Sequence, residues 1–264
     1  MCSSLTSVTI PDSVTTIGKW AFEYCSSLTS VYITDLSTWC KIDFGNSYAN
    51  PQRYAKNLYL NNELVTDLVI PSDITEIKTY AFYNCRSLIS VIIGDSVTTI
   101  GDSAFHDCSS LTSVTIPDSV TTIGNSAFRY CSSLTKFNGK FASEDGRCLI
   151  IDGTLNSFAP AGLIEYTIPD SVTTIGEGAF WDCDSLTIVT IPDSVTTIGD
   201  YAFSRCSSLT SVYCKATTPP AGDYDMFYGN ASGRKIYVPT ESVDTYKSAE
   251  GWSKYADDIV GYNF

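Results

Sequence analysis

The chain has 264 residues, 44% hydrophobic and 17% charged, with a formal net charge of −13 and a single histidine, His106. Its 16 basic and 29 acidic residues leave no basic footprint for nucleic-acid phosphates, and one imidazole excludes zinc-protease or His-rich metal chemistry. No apolar run approaches the ~18 residues of a membrane span, and the opening MCSSLTSVTI lacks the basic and apolar regions of an export signal.

Ten cysteines suggest disulfide, redox or metal chemistry until their spacing is read. Cys2 to Cys25, Cys85 to Cys108, Cys108 to Cys131 and Cys183 to Cys206 are each 23 residues apart. Seven of the ten therefore mark one position of a repeat. The clearest unit is residues 111–133, LTSVTIPDSVTTIGNSAFRYCSS. Near-copies begin at Leu5, Leu88, Leu186 and Leu209, and degenerate ones at Leu28, Val65, Leu134, Leu163 and Gly233. A fixed period of this length marks a stack of coils, here one solenoid of about ten coils over residues 1–264. Two longer spacings place insertions at residues 34–64 and 139–162.

Within a unit the elements follow in order. Val114 and Ile116 alternate as in a short strand with one buried face. Pro117 and Asp118 end it, because proline offers the ladder no N–H and aspartate bonds its local backbone. Val120 and Ile123 turn inward on the next side, and Gly124 permits a bend. Ala127, Phe128 and Cys131 then bury from a short helical turn. Phe22, Phe82, Phe105, Phe128, Phe180 and Phe203 are expected to form one internal stack. Asn61-Asn62 suggests a small hairpin inside the first insertion. Residues 240–264 form a helical cap, in which Val243, Tyr246, Trp252, Tyr255 and Ile259 cover the last coil and Gly251 breaks the helix.

The motifs CSSLTSVTIP, IGEGAFWDCDSLTIVTIP and the closing KIYVPTESVDTYKSAEGWSKYADDIVGYNF resemble the bacterial BspA-like class of leucine-rich repeat. The resemblance covers essentially the whole chain. It implies a curved leucine-rich-repeat solenoid with parallel strands on its concave side, and short helical turns and second short strands on the others. It further implies an extracellular or cell-surface setting and adhesion or protein binding, and does not imply an enzyme; no enzyme activity and no cofactor are expected. Such proteins usually carry an export signal; this chain starts inside a repeat, with residues 1–4 as the tail of a missing coil, so a fragment is expected.

Candidate chemistry is sparse. The repeat cysteines pack beside the phenylalanines, while the off-register Cys40, Cys148 and Cys214 leave a bridge open. His106 occupies a position otherwise held by Glu23, Tyr83, Arg129, Trp181 and Ser204, and such tolerance implies that it and the neighbouring Asp107 face solvent. Asp12, Asp95, Asp118, Asp170 and Asp193 form a turn column, with too few ligands per coil for a calcium ladder. Regular threonines would suit ice binding, but the insertions interrupt the array.

The strand face is hydroxyl-rich, with Tyr32, Thr115, Thr190, Tyr213 and Tyr237 among its outward residues. It serves either partner binding or simply strand propensity. In the first insertion Trp39, Tyr48, Arg53 and Tyr54 combine aromatic and cationic groups, as interface hot spots do; the rival reading is local packing. The expected function is recognition of a protein or glycan, with no nucleic acid and no membrane span. The rival is a structural spacer within a larger surface protein, favoured by the near-identical coils.

Overall fold

The structure, a computed structural model, describes residues 2–223 and 225–264. Met1, part of the expected half-coil at residues 1–4, lies outside the described residues. The chain divides into two compact units, Met1–Ala142 and Ser143–Phe264.

Each unit is a parallel-strand β-solenoid whose coils contribute a front strand and a shorter flank strand. In the first unit the front strands Asp67–Val69, Ser90–Ile92, Ser113–Ile116 and Lys136–Gly139 pair in sequence. Ser90 lies opposite Ser113, and Ser113 opposite Lys136. One coil is thus one register step, and residues 23 apart become lateral neighbours. The flank strands Glu76–Ile77, Thr99–Ile100 and Thr122–Ile123 follow the same step. Threonine recurs because its hydroxyl bridges coils: Thr98 Oγ1 donates to the Thr75 carbonyl at 3.1 Å, and Thr121 Oγ1 to Thr98 at 3.2 Å.

The first insertion builds a coil of its own. Asp35 caps the helix Leu36–Cys40 by accepting from the Thr38 amide at 2.7 Å. A second helix, Gln52–Ala55, ends at Lys56 in the left-handed region. The strand Leu58–Leu60 then pairs in parallel with Ser30–Ile33, which pairs with Ser7–Thr9. Asn61 and Asn62, with φ of 52° and 69°, turn the chain into the antiparallel strand Glu63–Leu64. This is the hairpin expected from the Asn-Asn pair.

In the second unit the front strands are Glu165–Thr167, Ile188–Ile191, Ser211–Cys214, Lys235–Pro239 and Ile259–Tyr262. The insertion at 139–162 contributes a hairpin, Cys148–Ile151 against Thr154–Phe158, turned at Asp152-Gly153. Its second strand heads the flank ladder by pairing with Thr174–Ile175. The closing segment is helical only in part. Tyr246, Trp252, Tyr255 and Ile259 are buried as expected, and Gly251, at φ 78°, separates the helix Val243–Ser248 from the 3-10 turn Ser253–Tyr255. The chain then returns as the strand Ile259–Tyr262, parallel to Lys235–Pro239.

The Ala–Phe segment is a run of turns instead of the expected helical turn. Ser103 and Asp107, which flank Ala104-Phe105-His106, have φ of 53° and 60°; Ser126 and Tyr130 repeat this at 56° and 63°. The amides of Ser103, Phe105 and Asp107 consequently point to the next coil and donate to the carbonyls of Asn125, Ala127 and Arg129. Those of Ala104, His106 and Cys108 point back along their own coil. The left-handed conformation costs a non-glycine residue about 1–2 kcal/mol, and the cross-coil bonds offset it by pairing the amides of Ser103, Phe105 and Asp107 with the next coil.

The phenylalanines stack within each unit. Phe82, Phe105 and Phe128 lie nearly parallel, with centroids 5.2 and 5.4 Å apart, and Phe137 closes the run edge-on. In the second unit Phe158, Phe180, Phe203 and Phe227 form the column. Phe22 is only half-buried, because the coil that follows it is the inserted one: its amide donates to the Tyr48 carbonyl where Phe82 donates to Ala104, and Ala49 follows where other coils carry phenylalanine.

The cysteines are free thiols, and nine of the ten are buried. The Cys108 thiol donates to the Phe82 carbonyl at 3.2 Å, and Cys131 to Phe105 at 3.3 Å, so the repeat cysteine both fills space and caps a carbonyl. Burial pushes the Cys131 thiol up to about 12. Off-register Cys148 and Cys214 contact the hydroxyls of Tyr166 and Tyr246, each at 3.2 Å, and Cys40 is fully buried.

Candidate recognition surfaces

Alternation along a front strand sends every second side chain outward. In the second unit this places Thr190, Tyr213 and Tyr237 side by side. The rings of Tyr213 and Tyr237 stack at 4.6 Å with 13° between their planes. Tyr262, carried by the returning strand, meets both edge-on at 5.3 and 5.7 Å, and Phe264 packs on Tyr262 at 5.0 Å. Tyr262 and Phe264 are 42% and 52% exposed. The cluster is therefore an aromatic surface held on a paired sheet.

In the first unit the outward face is less aromatic. Tyr32 stacks on Tyr59 at 4.9 Å, beside a shallow depression shared with Asn61 and Asn62. Thr115 is exposed on a separate ladder, between Ile92 and Asn138. Tyr32 and Thr115 therefore do not share one continuous column: the strand Leu58–Leu60, and not Asp67–Val69, follows Ser30–Ile33.

The insertion residues divide. Trp39 is 1% exposed, and its indole N–H donates to the Ala81 carbonyl at 3.0 Å, so it is a core residue and not a contact for a ligand. Tyr48, Arg53 and Tyr54 come together in an open cleft of about 440 Å³. The Arg53 guanidinium lies 3.9 Å above the Tyr48 ring and donates to the Tyr83 hydroxyl at 3.0 Å and to Ser47 at 3.3 Å. The Tyr54 hydroxyl accepts from the Tyr24 amide at 3.1 Å. Asn84 donates to the Arg53 carbonyl at 2.6 Å and thereby ties the inserted coil to the next.

His106 is not on the surface. Its ring stacks on Tyr83 at 4.8 Å and 9°, and meets Tyr130 edge-on at 4.9 Å. The other residues at this position are also sheltered: Tyr83, Arg129 and Trp181 are half-buried and Ser204 is buried. Asp107 is likewise half-buried and pairs with Arg86 at 2.6 Å. Burial, and then the charges of Arg129 and Arg53, lower the His106 pKa to about 4. The unfolded chain, titrating near 6.5, then binds the extra proton first. Stability is expected to fall as pH drops from about 6.5 towards 4, in a step that His106→Tyr removes while preserving the stack. Denaturant melts of both proteins across that range check this; an unchanged slope in the variant would refute it.

Asp12, Asp95, Asp118, Asp170 and Asp193 are exposed at their turns. Among the described residues no group of three or more His, Cys, Asp or Glu could hold a metal ion, and no helix is long and apolar enough to cross a membrane.

The family model for the BspA type leucine rich repeat region matches in six copies over residues 1–48, 53–143 and 154–249. The chain belongs to the BspA-type leucine-rich repeat family. No curated protein matches it. Among solved structures it is similar to a leucine-rich cell surface protein from Faecalibacterium prausnitzii. That match has 24% identity and a TM-score of 0.55, over 98% of this chain and 80% of the other. A leucine-rich repeat protein of Treponema pallidum (T. pallidum) shares 31% identity over 57% of this chain and 71% of its own, with a TM-score of 0.39.

The surface of this BspA-type chain also uses residues that no sequence motif marks. Tyr262 and Phe264 fall within the expected cap, although Ile236 and Ile259 keep the 23-residue step and announce a further strand. Tyr59 belongs to the aromatics of the first insertion and Tyr83 to the variable repeat position, but only the folded register places them beside Tyr32 and Arg53.

Proposed function

We propose that the protein is a non-enzymatic recognition module at a bacterial cell surface. Its front face around Tyr213, Tyr237, Tyr262 and Phe264 contacts a protein or glycan ligand. The single observation that supports this most is the four-ring cluster on a paired sheet, with Tyr262 and Phe264 exposed and Tyr213 and Tyr237 half-buried. Tyrosine offers large contact area with two side-chain torsions to order, and a cluster held by its own backbone ladder loses little entropy on binding. Similarity to the Faecalibacterium cell surface protein supports the location.

The test uses purified matrix proteins and a glycan array. A ligand bound at micromolar concentration is expected to be weakened about tenfold or more by Tyr237→Ala, with melting little changed. The second reading, a spacer within a larger surface protein, rests on the near-identical coils. Absence of any micromolar ligand from both panels would favour it.

A further inference from the structure

We infer that the cleft in the first unit is a separate site for a carboxylate-bearing sugar of an acidic glycan. This inference rests on the cleft residues alone and stands or falls independently of the Tyr213–Tyr237 face. Its centre is Arg53. The guanidinium is held from below by the Tyr48 ring and from the side by Ser47 and the Tyr83 hydroxyl. All three partners are neutral, and among the described residues no carboxylate pairs with Arg53. An arginine fixed in one pose without a counter-ion, with donors to spare, is prepared for a planar anion.

The surroundings agree. The chain carries a net charge of −13, yet the cleft gathers Arg53, Lys56 and Arg86 against only Glu23 and Asp107. Asp107 is engaged by Arg86, which leaves Arg53 and exposed Lys56 against Glu23 and so a local excess of positive charge. The Tyr54 hydroxyl already accepts the Tyr24 amide, so its own proton is available for an incoming oxygen. Sugar is favoured over an acidic peptide by the lining. It consists of phenols, cations, two carboxylates and the Asn84 amide, with no aliphatic side chain to seat a peptide anchor. Tyr24, 54% exposed, offers a ring face for sugar C–H groups. The volume of about 440 Å³ suits one or two sugar rings.

The experiment is calorimetric titration of the full chain with a tetragalacturonate, with its methyl ester, and with a Glu/Asp hexapeptide. Saturable binding of the acid is expected, with the ester at least about tenfold weaker, since esterification removes the charge and keeps the shape. Arg53→Gln is expected to lose at least about tenfold, and Arg53→Lys less, because it keeps charge without the fork. Should Arg53→Gln misfold by melting analysis, exposed Lys56→Gln takes its place, with a loss of a fewfold and a weaker salt dependence. Equal binding of acid and ester would overturn the inference. So would peptide binding as tight as the sugar acid, wild-type affinity in the variant, or no acid binding at ~10 mM.

Discussion

Replacing Phe105 by alanine is expected to destabilise the first unit by about 3–5 kcal/mol, which lowers its melting temperature by roughly 6–20 °C. The side chain is fully buried, with Phe82 on one face at 5.2 Å and Phe128 on the other at 5.4 Å. Each ring is both core for its own coil and contact for two neighbours. In a stack whose stability is a sum of nearest-neighbour interfaces, one deletion weakens two of them. The lost volume cannot collapse, because the coil spacing is set by backbone hydrogen bonds on either side, such as Phe105 N–H to the Ala127 carbonyl. Phe22, at the same repeat position but half-buried, supplies the control. Its truncation should cost clearly less. Equal losses at Phe22 and Phe105, or an unchanged melt for Phe105→Ala, would mean that the column does not carry the stability.

The period and its consequences were legible because a 23-residue step is also the register shift. Any apolar residue recurring on that step must stack on itself, which made Phe105, Cys108 and Val114 readable as core without coordinates. The backbone of the third side was not legible. Ser103, Ser126 and Tyr80 occupy the left-handed position before alanine, which only Gly178 marks with a glycine among the regular coils; elsewhere the geometry falls on ordinary residues. His106 shows why variability misleads in a solenoid. Residues as different as Tyr83, His106, Arg129 and Ser204 are all half-buried or buried there, so diversity across coils does not imply solvent. The surfaces divide in the same way. Tyr213 and Tyr237 follow from alternation, whereas Tyr83 joins Arg53 only through the folded insertion. Trp39 carries the same hot-spot composition as Tyr48 and Arg53, and only burial separates it from them.

The repeat glycine gives the sharpest test of how closely the coils approach. Its place in the sequence suggests a bend, but what it supplies is space. A Cβ built on Gly101 would lie 2.5 Å from the Thr79 amide nitrogen and 2.9 Å from the Lys78 carbonyl carbon. On Gly124 it would lie 2.5 Å from the Asp102 amide nitrogen. At Gly101 the obstacles are all backbone, so no side chain can rotate away, and relief requires the coils to separate where the Gly101 amide donates to the Ile77 carbonyl at 2.8 Å. Gly101→Ala is therefore expected to cost about 3 kcal/mol, the upper range of overpacking. Gly18 holds the same repeat position, yet a Cβ there meets nothing within 4 Å. Its φ lies outside the left-handed region, so Gly18→Ala should be neutral or stabilising by about 0.4–1 kcal/mol through the unfolded chain. Denaturant melts of the two variants separate the explanations. Opposite signs locate the requirement in the contact between coils, whereas a similar loss in both would place it in the conformation of the bend itself.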